Sequence, residues 1–299
     1  MKIFKTERGL NPIFDISLPV FEKETGGIFP YYQKNANNES VQYAVCPQCN
    51  NHIQLIGLYN KSKNTDNPFG KHHLKNVSGF APPDFEAYKN CIYADVIRQF
   101  RIDDRKAVLD EYSREIYYTL REQFDRVVYV LRKVCSIYTS DDFAKTLLED
   151  FISTRGWLYP GITISNLPYV FRYLAFSKPI NGRFIKKNSE IYSALSGLSE
   201  VIFMPSETHN GYERLTIRKG LYLNLQFWFF NHERKLKDDR AYETFVLEVN
   251  KVNDGKKTQV YKEILPIDET YLTNIILKNN TARRNQKLLN ISKELMPDI

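Results

Sequence analysis

The residues best placed to do chemistry in this 299-residue chain are Cys46 and Cys49, in the stretch VCPQCNNHIQLIGLY. Two cysteines separated by two residues can offer both thiolates to one tetrahedral ion from a tight turn. Pro47 stiffens that turn, polar Asn50 and Asn51 follow it, and residues 52–59 then read as a strand. A tetrahedral ion needs two more ligands. His72 and His73 follow in NPFGKHHLKNVSGF, and Cys91 follows in YKNCIYA. The expected set is Cys46, Cys49, His73 and Cys91, with His72 close to an equal alternative to His73. His52 lies nearer, but the turn would have to fold sharply for it to share the ion. The competing reading is of reduced cysteines and solvated histidines.

A thiolate-rich set of four closes the coordination sphere, as structural zinc sites do, whereas catalytic zinc keeps one position for water. No HExxH occurs. The nucleobase-deaminase pattern needs H-x-E ahead of P-C-x-x-C, and no such H-x-E occurs. No histidine lies upstream of Cys46, so the element order of zinc-supported His-Asn-His nucleases fails too. The ion expected is a structural zinc.

The block CPQCNNHIQLIGLY…NPFGKHH…FAPPDFEAYKNCIYA, within residues 40–95, resembles one found in uncharacterised bacterial and mobile-element proteins. That resemblance implies a metal site and carries no activity with it. By association it suggests an accessory or inhibitory protein of a phage or mobile element, acting on a larger host protein complex.

Other chemistries find little to stand on. The chain lacks GxxxxGK[ST], GxGxxG after a strand, and a GxSxG elbow. His209 and His232 read as lone, solvated loop histidines. A metal-dependent nuclease would need Asp238 or Asp239 followed by a strand bearing a carboxylate and a lysine one residue apart. Here Glu248 and Lys251 are three apart, which puts them on opposite faces of a strand.

Around the candidate site the pattern predicts an α+β protein: a zinc-stabilised strand-and-loop module over 1–95, a helical segment over 96–155, and an antiparallel sheet flanked by helices over 156–299. Leu109, Tyr112, Ile116, Leu120, Phe124, Val127, Leu131, Val134 and Tyr138 form one apolar stripe of a long helix within 104–138. Ser140, followed by Asp141 and Asp142, starts another helix. Shorter helices are predicted over 166–176 and 188–198, and one or two more close the chain. From residue 201, VIFM, ERLTIRK, LYLNLQFWFF, ETFVLEVNKV and KTQVYKEIL read as strands. Asn253-Asp254-Gly255 marks a hairpin.

The net charge is +7, and residues 156–299 carry most of it, with 21 Lys/Arg against 15 Asp/Glu. An alternative function follows: nucleic-acid binding through Arg214, Arg218, Lys219, Arg234, Lys235, Arg283 and Arg284, with Tyr212, Tyr222, Trp228 and Phe230 interleaved. Charge runs are more commonly a solvated face. The N-terminus lacks the apolar core of a signal peptide, and no apolar run is long enough for a membrane span. The expectation is a cytoplasmic, non-enzymatic protein-binding protein with reduced cysteines, open to homo-oligomerisation.

Overall fold

The computed structural model describes residues 1–35, 37–59, 67–94, 98–278 and 284–299. It has the predicted α+β composition, with a Cys/His cluster near the N-terminus and a long central helix.

The N-terminal part is built on strands β1 (Ile3–Phe4), β2 (Phe14–Asp15), β3 (Tyr32–Lys34), β4 (Ser40–Val45), β5 (His52–Ile56) and β6 (Phe69–His72), with helices α1 (Leu18–Thr25) and α2 (Phe85–Asn90). β3 to β6 form an antiparallel sheet in chain order. Ala44, Ile53 and His72 align across three strands and so share a face. That face packs on Phe4, Phe21 and Ile92. Val41 and Tyr43 lie on the opposite face, under Val77 and Phe80.

Helix α3 (Glu111–Val134) starts later than the stripe predicts, because Asp110 caps it by accepting from Ser113 N at 2.7 Å. It ends before Cys135, which is extended and buried. A break at Gln123 (φ −123°, ψ 22°) divides it, with no Gly or Pro to announce the break. Helix α4 (Asp141–Ser153) is capped by Ser140 as predicted. A 3-10 turn (Gly156–Leu158), α5 (Leu167–Tyr173) and the two-residue β7 (Lys178–Pro179) follow.

Strands β8 (Phe184–Lys186), β9 (Val201–Pro205) and β10 (Tyr212–Ile217) form a three-stranded sheet beside α6 (Glu190–Ser196). The long strands β11 (Leu225–Lys237), β12 (Arg240–Asn253) and β13 (Lys256–Pro266) make the second large sheet, in the order β13-β12-β11-β7. The predicted hairpin turns at Asp254 (φ 47°) and Gly255 (φ 77°). A second one turns at Asp238 (φ 52°) and Asp239 (φ 60°), so the two candidate nuclease aspartates are turn residues. Helices α7 (Tyr271–Lys278) and α8 (Gln286–Leu295) close the chain.

The buried side chains of α3, α4, α5 and α8 and the inner face of β11 and β12 belong to one apolar cluster. The segment 96–155, expected as a unit of its own, therefore shares its core with 156–299. A single amphipathic helix buries its stripe only against another element.

Candidate metal centre

Three pieces of the N-terminal part bring the ligands together. The β4–β5 turn carries Cys46 and Cys49. Asn50 N donates to Cys46 O at 3.1 Å, Cys46 N to Asn51 O at 2.8 Å, and Asn50 closes the turn with φ 59°. Asparagine tolerates this left-handed conformation better than most residues. The end of β6 supplies His72. The end of α2 supplies Cys91, and Asn51 aims that helix: its amide accepts from Asp84 N at 2.7 Å and donates to Asp84 O at 2.8 Å. Asp84 in turn caps α2 through Ala87 N at 2.9 Å.

The ligand atoms of Cys46, Cys49, His72 and Cys91 all lie within 4.8 Å of one another. Cys46 Sγ is 3.8 Å from Cys91 Sγ, and His72 Nε2 is 3.2 Å from Cys49 Sγ and 3.8 Å from Cys91 Sγ. Tetrahedral Zn–S bonds of about 2.3 Å would put neighbouring sulfurs about 3.8 Å apart. Asn51 Nδ2 donates to Cys49 Sγ at 3.4 Å, and Tyr93 N donates to Cys91 Sγ at 3.4 Å. Such donors steady thiolates in a metal centre. Tyr88 stands edge-on to the His72 ring, 5.0 Å away.

Of the two histidines, the structure brings His72 to the cysteines, and the expected His73 is elsewhere. Side chains of a strand alternate between faces. His73, one residue on, lies across the sheet, its ring 5.6 Å from Tyr43 and 5.9 Å from His52. His52 is on that far side too, with Nε2 2.8 Å from Lys75 O.

Burial acts to raise all three thiols, and it prevails at Cys49 and Cys91. At Cys46, hydrogen bonding from Cys49 and Cys91 and the positive charge of His72 reverse it, holding that thiol well below its ordinary range. Burial alone would lower His72, but the Cys46 thiolate pushes it up to about 10. The lowered Cys46 thiol and the raised His72 imidazole thus favour each other's charged form, while burial favours the neutral form at Cys49 and Cys91. Three sulfurs and one imidazole fit a borderline-soft divalent ion. Among the described residues, this is the cluster able to hold a metal.

The cluster is also a joint between the two halves of the chain. Gln48, inside the Cys turn, donates to Glu269 Oε2 at 3.3 Å, and Tyr93, two residues after Cys91, donates to the same oxygen at 2.9 Å. Burial raises the Glu269 carboxyl to about 7. A cleft of about 550 Å³ opens between the Cys turn and α3, lined by Arg8, Cys49, Asn50, Asp84, Glu115 and Gln123 among others. Glu115 is raised by burial there, and its Oε1 is buried without a hydrogen bond.

The basic residues of the alternative reading do not form one face. Arg214, Arg218 and Lys219 are exposed on β10 and just after it. Arg234 is buried, 3.6 Å from Glu243 Oε1, and donates to Asn90 O at 2.9 Å. It holds the halves together rather than facing a ligand. Lys235 is exposed and pairs with Glu233 at 3.1 Å. Arg284 grips Asp125 with two 2.7 Å hydrogen bonds, tying the start of α8 to α3. Arg283 lies outside the described residues.

His232, expected in solvent, is buried instead. Its Nδ1 is 2.9 Å from Tyr159 Oη, and its Nε2 meets Glu243 Oε1, which also accepts from Asn166 Nδ2 at 2.8 Å. Plain alternation from Phe227 and Phe229 would point His232 outward; a register shift between Phe230 and Glu233, with Asn231 at φ 52°, turns it inward, and nothing in NHERK signals that bulge. Cys135 is a buried core thiol, as its place beside the stripe implies, and burial raises it to about 11. Lys251 pairs with Glu200 at 3.0 Å, away from any nuclease-type arrangement with Glu248.

No protein-family model, no curated protein and no solved structure matches the chain. No helix among the described residues is long and apolar enough to cross a membrane.

Proposed function

We propose that this chain is a non-enzymatic binding protein shaped by one structural zinc ion held by Cys46, Cys49, His72 and Cys91. One observation carries the reading: four protein ligands, three of them buried sulfurs, converge within tetrahedral reach. They complete the coordination of zinc and leave no position for a reacting water. The ion would neutralise the thiolates and lock the β4–β5 turn, the end of β6 and the end of α2. Through Gln48 and Tyr93 it would also fix where the C-terminal half docks.

The likeness of the Cys/His block to mobile-element proteins favours an accessory or inhibitory role against a host protein complex, in a cytoplasm where thiols stay reduced. Metal analysis with thermal melting tests the structural role. About one zinc per chain is expected, and its removal by a chelator should lower the melting temperature by roughly 10 °C or more. Metal-free protein that melts at the same temperature contradicts it.

A further inference from the structure

A pocket of about 430 Å³, with none of the four candidate ligands in its lining, opens where the turn after α5 meets the outer face of β11. Its walls include Tyr173, Phe176, Trp228 and Phe229, and its rim carries Arg105 and Lys257. Phe176 is 61% exposed, with Lys178 Nζ 5.9 Å from its ring centroid.

The two cations are unusual. Among the described residues, neither has a carboxylate within ion-pair distance. Arg105 is held by carbonyls: its Nε donates to Thr154 O at 2.6 Å, and its Nη1 to Ile102 O at 2.8 Å and Asp104 O at 2.7 Å. Lys257 lies over the Trp228 ring, its Nζ 4.5 Å from the centroid. The one carboxylate in the lining, Asp103, is engaged by Arg101 at 3.1 Å.

The same chemistry repeats one step along the strand. Phe230, two residues on, lies on the same outer face about 7 Å away. Lys262 sits over it, 5.8 Å from the centroid, and likewise has no ion pair among the described residues. Glu248 is the cross-strand neighbour of both Trp228 and Lys262 on this face, but neither Lys257 nor Lys262 is in ion-pair contact among the described residues. Flat rings alternating with cations suit a ligand that alternates planar bases with phosphates.

We propose that this pocket is a subsite for single-stranded nucleic acid: one base stacks among Phe176 and Trp228, its phosphate lies at Arg105 and Lys257, and the strand runs on past Phe230 and Lys262. This names a partner class for the binding protein proposed above and stands apart from its metal.

The test is a fluorescence titration of the zinc-loaded full chain with an oligouridylate of roughly ten nucleotides, within the range one such surface covers. The chain has two tryptophans. Trp157 is packed between Tyr117 and Phe151, so Trp228 is the reporter. Quenching is expected, with affinity falling steeply as salt rises. Phe176→Ala, at an exposed position, should weaken binding roughly tenfold. Lys257→Ala should weaken it and flatten the salt dependence. Uridine monophosphate should bind at least tenfold more weakly, and a duplex of equal length more weakly as well. An unquenched titration, variants that bind like the parent, or duplex or mononucleotide bound as well as the strand would each overturn the proposal. Oligonucleotide cut during the titration would instead sink the non-enzymatic reading and leave the subsite standing.

Discussion

His72 and His73 are adjacent in the chain and lie on opposite faces of the same sheet. His72 Nε2 is 3.2 Å from Cys49 Sγ, while the His73 ring stands edge-on to Tyr43, 5.6 Å away. The alternation of β6 therefore decides which histidine can be a ligand. His72→Ala should lose the metal or bind it at least tenfold more weakly, and His73→Ala should retain one equivalent. Metal analysis of the two purified variants checks this, and the reverse pattern would mean a different register for β6.

The metal centre should be strongly pH-dependent. Cys49 and Cys91 are raised and His72 is pushed up to about 10, so in metal-free protein at neutral pH all three are protonated. Metal binding must displace those protons. Affinity should therefore rise with pH, by at least about tenfold per unit between pH 6 and 8. A chelator competition at several pH values measures the slope, and a flat profile would contradict the ligand set.

Much of this was legible before the structure. The Cys-x2-Cys turn, the stripe of α3, the Ser140 cap and the Asp254–Gly255 hairpin are local signals, and local signals survive folding. What was lost depends on register or on distance along the chain. His72 and His73 are close to equivalent in the sequence until the strand's inward face is known. Arg234 and His232 look like surface residues in FFNHERK. They are buried because Glu243, eleven residues beyond His232, folds back across the Asp238–Asp239 turn to meet them. Arg284 finds Asp125 across most of the C-terminal half. The break in α3 at Gln123 has no residue that signals it.

The buried cluster around Glu243 makes a stability prediction. Burial alone would raise its carboxyl, but His232, Arg234 and Asn166 hold it below the ordinary range. A carboxyl depressed in the fold contributes stability above its unfolded value, and that stability is lost as pH falls through the folded value. Glu243→Gln leaves Arg234 buried without its countercharge and should cost about 3 kcal/mol at pH 7. Denaturant unfolding reads the loss directly. A change under about 0.5 kcal/mol would mean the cluster is not ionised.

Glu269 predicts the opposite pH dependence. Its folded value of about 7 lies above the ordinary 4.5, so the carboxylate form is disfavoured in the fold. Its neutral form is comfortable at pH 5, and stability is lost as pH rises toward and through 7. Glu269→Gln keeps hydrogen-bonding capacity toward Tyr93 and Gln48 without the charge. It should stabilise the protein by about 1–2 kcal/mol at pH 8, with little change at pH 5. Melting curves at the two pH values give the comparison, and equal shifts would show that the carboxyl is not perturbed.

The proposed zinc centre is closed, with three sulfur ligands and one nitrogen. X-ray absorption at the zinc edge of the purified protein tests it most directly. A four-coordinate shell is expected, with sulfur at about 2.3 Å and one nitrogen at about 2.0 Å. A shell dominated by oxygen and nitrogen, or one with a bound water in place of a sulfur, would contradict it and reopen the case for a catalytic metal.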